Sequence, residues 1–237
     1  MYAHILLWFH PVIPGIRQMC YVIVTARSLL WTLLTVVATM AVLSAVLTPK
    51  WLIGPPRLKP SDNSSMMYSP SVGLYNRCTR SHGRQHCGPF SLHGLATDSE
   101  VFPGWWKAAL VLLCIGLSIM AATVLTSVLS CCVQSIFRKS IFTMSGAAQT
   151  IAGIFYILGL VVYPAGWGAH RVQKLCGHDA APFFPAECHL GWAFYSAVVG
   201  VGLTFVCAVL SVQAEVATSS DKVQYQIHQG RTLICLL

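Results

Sequence analysis

Charge is absent where this chain is most apolar. No Asp, Glu, Lys or Arg occurs in residues 28–48, 108–137, 141–169 or 190–214. Each stretch reaches the roughly 20 residues that a helix needs to cross a ~30 Å hydrocarbon core. A surface helix of a soluble protein would show a polar stripe, and none of these does. The chain therefore reads as a membrane protein with four spans. Ion paths and proton relays generally leave ionisable residues inside a bundle, so their absence argues against a transporter or channel. No acid, base or paired nucleophile lies at a depth where an intramembrane enzyme would use it.

Other absences narrow the reading further. With 55% apolar and 9% charged residues in 237 positions, four spans leave no room for a soluble catalytic domain of about 100 residues. The net charge of +8 is scattered over both sides of the membrane, without the patch that nucleic-acid binding needs. No Lys or Arg precedes the short apolar patch at residues 5–9, and Pro11 and Pro14 follow it, so residues 1–18 do not read as a signal peptide. Met19 reads as the functional start, with residues 1–18 an upstream extension; a cytoplasmic tail is the alternative. Cys235 is third from the end, so the prenylation pattern is missing. His82, His86, Cys87 and His93 invite a metal reading, but Gly83, Gly88, Pro89 and Gly94 break the helix on which their spacing would align ligands. No metal and no cofactor is expected.

What is present divides the chain into a cytoplasmic N-terminus (1–27), spans at 28–48, 108–137, 141–169 and 190–214, and a cytoplasmic tail (215–237). Between the spans lie a long loop (49–107), a tight turn (138–140) and a second loop (170–189). Counting basic residues does not orient this topology. Arg17, Arg27, Arg138, Lys139, Lys222 and Arg231 lie on the side of the termini, against Lys50, Arg57, Lys59, Arg77, Arg80, Arg84, Lys107, Arg171 and Lys174 on the other. Loop chemistry orients it instead. Cys78 and Cys87 in the first loop, with Cys176 and Cys188 in the second, suit an oxidising exterior. Asn63-Ser64-Ser65 is a glycosylation acceptor usable only on the lumenal side. Arg138 and Lys139 in the tight turn, and Arg27 before the first span, fit the inside.

Four loop cysteines allow three pairings. Local pairing, Cys78 with Cys87 and Cys176 with Cys188, needs no long-range geometry, and a loop near this size stabilises by ~3 kcal/mol in the chain-entropy model. Cys114 and Cys207 lie inside spans as small apolar residues, while Cys131 and Cys132, at the cytoplasmic end of the second span, are candidates for palmitoylation. Trp51, Trp105, Trp106, Trp167 and Trp192 lie near outer span ends, where aromatic rings settle at headgroup depth. Small residues at helical spacing, Ser145, Gly146, Ala148, Ala152, Gly153 and Gly159 in span three and Ala193, Ala197, Gly200 and Gly202 in span four, read first as packing within the bundle and second as a groove for another protein's helix. The terminal Cys235-Leu236-Leu237 fits an apolar PDZ ligand that docks by strand addition, with Leu237 as its end.

Several strings resemble a known family. Trp51, Gly73-Leu74-Tyr75-Asn76-Arg77-Cys78 and Cys87 are similar to the first-loop signature of claudin-like tetraspans, with Tyr75 where claudins carry tryptophan. Tyr163-Pro164-Ala165-Gly166-Trp167, followed by Cys176, Cys188 and Gly191-Trp192-Ala193-Phe194-Tyr195, resembles the lipoma HMGIC fusion partner-like family. The resemblance covers residues 19–237 and leaves the Pro/Ser-rich stretch 55–70 without a family motif. It implies an all-α membrane protein, a left-handed four-helix bundle carrying a small extracellular antiparallel sheet built mainly from the first loop, with a strand from the second. It also implies a multi-pass plasma-membrane protein that contacts the lipid bilayer and binds another integral membrane protein, such as a channel or receptor, as an accessory subunit or chaperone. A claudin-like cell-contact or adhesion protein is the alternative.

Overall fold

Thr25 sets the start of the first span. Its hydroxyl accepts from Ser28 N at 3.2 Å while Ser28 Oγ accepts from Thr25 N at 3.0 Å, a reciprocal cap that satisfies backbone donors the first turn cannot pair. The structure, a computed structural model, describes residues 22–61, 64–81, 84–90, 103–133, 140–229 and 233–236. Six helices lie in these residues: α1 (Ala26–Leu47), α2 (Gly104–Val133), α3 (Ser140–Ala165), α4 (His170–Cys176), α5 (Trp192–Thr218) and α6 (Asp221–His228). Four stretches are long and apolar enough to cross a membrane: Ala26–Leu47, Gly104–Ser127, Phe142–Gly168 and Trp192–Thr218. Hydroxyls inside them bond back into their own helices, as Thr39 does to Thr35 O and Thr204 to Gly200 O. A polar side chain satisfied this way needs neither water nor a partner in hydrocarbon.

The helices run past the charge-free windows at their ends. α2 begins at Gly104, where the amides of Trp106 and Lys107 both bond the Pro103 carbonyl, so Lys107 belongs to its first turn. α5 continues to Thr218 and takes in Glu215, whose carboxylate accepts from the Thr143 hydroxyl of α3. α3 passes through Pro164, which lacks an amide to continue the ladder, and tightens into a 3-10 turn at Gly166–Gly168. α1 packs on α2 and α5, and α3 on α2 and α5, so the four form a closed ring.

The loops build a sheet over one end of this ring. Its strands are β2 (Leu52–Ile53), β5 (Ser71–Val72), β6 (Asn76–Ser81), β7 (Arg84–Pro89) and β8 (His189–Leu190), in the order β7-β6-β5-β2-β8, all antiparallel. The first loop thus supplies four strands and the second loop the edge, as the resemblance implied. β3 (Arg57–Ser61) and β4 (Ser64–Tyr68) form a separate hairpin from the Pro/Ser-rich stretch. At the opposite end β1 (Val22–Thr25) pairs in parallel with β9 (Leu233–Leu236), joining the two terminal segments. No sequence signal marked that pair.

The small residues of the spans serve the bundle. A Cβ on Gly146 would meet Ser211 and the Ala208 carbonyl of α5, and one on Gly153 would lie 2.7 Å from Phe205. On Gly159 it would lie 2.9 Å from Leu113 of α2, and on Gly200 it would lie 2.6 Å from Val42 of α1. Lipid provides no hydrophobic drive between helices, so close approach supplies the attraction instead. Gly202 alone among these glycines has nothing within 4 Å.

Candidate functional site

The sheet end is built on a cluster of rings. Trp51 follows α1 closely, and its indole donates to Ala45 O at 2.7 Å, holding the ring beneath the sheet. Its centroid lies 4.9 Å from that of Tyr163, which lies 5.3 Å from Trp106 in a stacked pair and 6.1 Å from Trp167 edge-on. Phe194 of α5 closes the group against Trp51 at 5.8 Å, and Phe90 stacks beyond Trp106 at 6.5 Å. Such pairs contribute about 0.5–1.5 kcal/mol each beyond the area they bury. Tyr163 is their hub, and it lies one residue before Pro164, at the point where α3 ends.

This overturns the interfacial reading for three tryptophans. Trp51, Trp106 and Trp167 are buried under the sheet, whereas Trp105 is 58% and Trp192 51% exposed, as rings at a headgroup boundary would be. The physical reason is the sheet itself. It covers the span ends, so a ring there faces protein or solvent according to its direction around the helix.

The motif glycines allow close approach. A Cβ on Gly166 would lie 2.7 Å from Trp106 Cδ1, so a side chain there would unseat the stacked indole. A Cβ on Gly73 would lie 2.8 Å from Thr48 O and 2.9 Å from Pro49 Cα, where the β5–β6 turn crosses the exit of α1. The neighbouring Asn76 donates from Nδ2 to Leu47 O at 2.7 Å, one of the carbonyls that the end of α1 leaves free. Leu74 is fully buried and Tyr75 half-buried against the same core. Gly191 N donates to Trp51 O at 2.8 Å and Ala193 N to Lys50 O at 3.3 Å, so the first loop caps the start of α5.

Cys78 and Cys87 face each other across β6 and β7 and are joined, and Cys176 is joined to Cys188, tying α4 to the approach of β8. Gly177 caps α4 at φ 100°, a conformation that glycine adopts without a Cβ clash. Phe183 N donates to Pro164 O at 3.0 Å, which hangs the second loop from the end of α3. The disulfide takes the Cys87 sulfur out of any metal reading, and among the described residues no three of His, Cys, Asp or Glu could hold a metal. His82 and His93 lie outside the described residues.

Several sequence expectations also lie outside them: Asn63, Leu237, Arg138, Lys139, Met19 with residues 1–18, and the side chains of Cys131 and Cys132. The backbone of Leu233–Leu236 is described, and one edge of this strand is taken by β1. Sequence reasoning missed Phe90 and Phe194 as members of the ring cluster, and it missed the buried polar group of the other end. There Gln149 of α3 donates to Thr35 Oγ1 at 3.0 Å and accepts from Trp31 Nε1 at 3.3 Å. An uncharged polar residue inside an apolar span was the available signal.

The Lipoma HMGIC fusion partner-like protein family model matches residues 27–213. The chain is 48% identical over 232 residues to LHFPL tetraspan subfamily member 2 protein of Homo sapiens, covering 92% of this chain and all of that protein. It is 47% identical over 229 residues to LHFPL tetraspan subfamily member 2a protein of Danio rerio, with the same coverage. Against LHFPL tetraspan subfamily member 4 protein of Bos taurus it is 24% identical over 181 residues, 74% of this chain and 66% of that one. Four apolar helices, a sheet from two disulfide-bearing loops and these matches agree: the chain belongs to the lipoma HMGIC fusion partner-like family of tetraspan membrane proteins.

Proposed function

We propose that this protein is a non-enzymatic accessory subunit or chaperone that binds another integral membrane protein through its sheet and its outward helix faces. The partner class is a channel, receptor or adhesion protein, met at the plasma membrane with the sheet outside and both termini in the cytoplasm. The observation that carries this reading is the anchorage of the sheet: two disulfides, the ring cluster and the Gly73 and Gly191 crossings fix it to four spans whose only charges, Arg27, Lys107 and Glu215, lie near their ends. A surface held this rigidly loses little entropy on binding. Spans without charge in their interiors, in turn, suit holding a surface in place better than moving ions or making bonds. Because Gly146, Gly153, Gly159 and Gly200 are covered by neighbouring helices, with Gly202 the exception, recognition falls more on the sheet than on the helix faces.

The finer assignments belong to the same proposal. Asn63 carries a glycan, Cys131 and Cys132 carry palmitate, and the tail ending at Leu237 docks a PDZ domain by strand addition. The testing experiment is a pull-down of the full-length protein in mild detergent, read by mass spectrometry, comparing wild type with Cys78→Ser. A membrane partner recovered with wild type and lost with the variant supports the reading. Failure to recover any reproducible membrane partner overturns it, and accumulation at cell contacts on expression alone would favour the adhesion alternative.

A further inference from the structure

Beside the ring cluster, a cleft of about 350 Å³ opens between the sheet and α4. Pro70, Val72 and Arg77 of the first loop and Arg171, Lys174 and Leu175 of α4 are among the residues that line it. Three of its lining side chains are cations, and among the described residues no carboxylate pairs with any of them. Arg171 lies with its guanidinium carbon 4.3 Å from the centroid of Phe90, a cation–π contact that fixes it at the cleft wall. Burial, and then the like charge of Arg77, weaken its hold on its proton relative to a free arginine. Like charges gathered here repel one another, most at the half-buried Arg171.

A fourth cation nearby is already committed. Arg57 Nη2 donates to Lys174 O at 2.8 Å and Leu175 O at 3.1 Å, closing the end of α4 that carries the negative pole of the helix. Arg57 thereby steadies the helix that presents Arg171 and Lys174. Through Phe90, Arg171 is also linked to the stacked Trp106 and Tyr163, so the cleft is continuous with the rigid base of the sheet.

We propose that this cleft receives an acidic segment from the extracellular part of the partner, with carboxylates meeting Arg77, Arg171 and Lys174 while Pro70, Val72 and Leu175 cover its aliphatic carbons. The proposal rests on the partner-binding reading above and names the chemistry of recognition. Charge complementarity identifies the occupant, and the mixed lining favours a peptide over a sulfated glycan, which offers less aliphatic surface to Val72 and Leu175. The cleft also exceeds what a lone phosphate or sulfate would fill and lies at the lower end of the range of ligand-binding clefts.

The test uses the full-length protein in nanodiscs with fluorescent hexaglutamate as the probe and hexaglutamine as its uncharged counterpart. Wild type is expected to bind hexaglutamate in a salt-sensitive manner, and R77Q/K174Q to bind it at least about tenfold more weakly. K50Q/R84Q removes two exposed cations elsewhere on the loops and is expected to bind as wild type does. Equal loss in both double variants, no preference over hexaglutamine, or binding of a heparin tetrasaccharide without hexaglutamate would each overturn the proposal. Disulfide mapping and the thermal midpoint verify folding; should R77Q/K174Q fail these, Lys174→Gln alone, at an exposed position of α4, replaces it under the same criteria. In the pull-down, a partner retained equally by wild type and R77Q/K174Q overturns the cleft while leaving the accessory-subunit reading intact. If wild type captures no partner, the accessory-subunit reading fails, and hexaglutamate still decides the cleft.

Discussion

The two ends of the bundle are held together by different chemistry. At the sheet end, rings, disulfides and close glycine crossings pack a core between the span ends and the loops beyond them. Toward the termini the buried group is small: Trp31, Phe142, Cys207 and Ala214, joined by the Gln149 hydrogen bonds and the Thr143–Glu215 contact. The difference follows from the solvent. Where loops meet water, burying a ring removes apolar surface from it and yields the full hydrophobic gain. Between helices in lipid that gain vanishes, and shape fit and hydrogen bonds must do the work. One chain therefore has one end built like a soluble core and the other built like a membrane bundle.

If so, the largest single loss should come from Trp51, which is fully buried and bridges α1, the sheet, Tyr163 and Phe194. Trp51→Ala is expected to cost about 3–5 kcal/mol, the range for emptying a tryptophan site in the core of a soluble protein. A lowered thermal midpoint and reduced yield of disulfide-intact protein would register it. A near-wild-type midpoint would remove the claim that the sheet end behaves as a soluble core. Gly73→Ala follows, at roughly 1–3 kcal/mol, because the added Cβ meets backbone of α1's exit that has little freedom to withdraw. Its effect is read in the same melt, and its signature is local: faster amide exchange at β5 and β6 with the spans unchanged.

How far these ends could be read from residues alone depends on what each signal measures. Span existence was legible because hydrocarbon thickness imposes a length and excludes charge. Span ends were less so: Lys107 and Glu215 are charged yet helical, since a charge at a helix terminus reaches the interface or, for Glu215, a hydroxyl. The two-residue strands β2, β5 and β8 are too short to leave a periodic trace; short runs such as Trp51-Leu52-Ile53 hint at the sheet only faintly, and chiefly the family resemblance brought it into view. Trp106 and Trp167 were legible as span-end aromatics but not as core, because composition says nothing of which way a ring turns. The β1–β9 pair had no local signal, since pairing of distant termini is decided by where the bundle leaves them.

The terminal end offers a sharper measure of the membrane side of the comparison. Gln149→Leu removes two hydrogen bonds from a fully buried site, leaving Trp31 Nε1 without its acceptor while Thr35 keeps its own bond to Trp31 O. The expected loss is about 1 kcal/mol, since polar contacts between membrane helices contribute less than their isolation suggests. A melt in lipid nanodiscs measures it against Trp51→Ala. Were Gln149→Leu the costlier of the two, the terminal end would be the stronger half and the comparison would reverse.

The smallest effect should fall on Trp105, and its value lies in its neighbour. Trp105 and Trp106 share the first turn of α2 and differ only in direction, since successive residues turn ~100° around a helix. Trp106 is fully buried in the stack between Phe90 and Tyr163, while Trp105 is 58% exposed. Trp105→Leu keeps the Cβ that approaches Gly166 and gives up mainly an exposed ring, so its stability should stay within about 0.5 kcal/mol of wild type. Trp106→Leu, one residue on in the same turn, should cost several times more, because the stack loses a ring between two others. The pair of melts isolates direction from residue type, helix position and depth. Equal losses would mean that both rings act as headgroup anchors, and the sheet end would then owe its stability to the membrane boundary rather than to a core of its own.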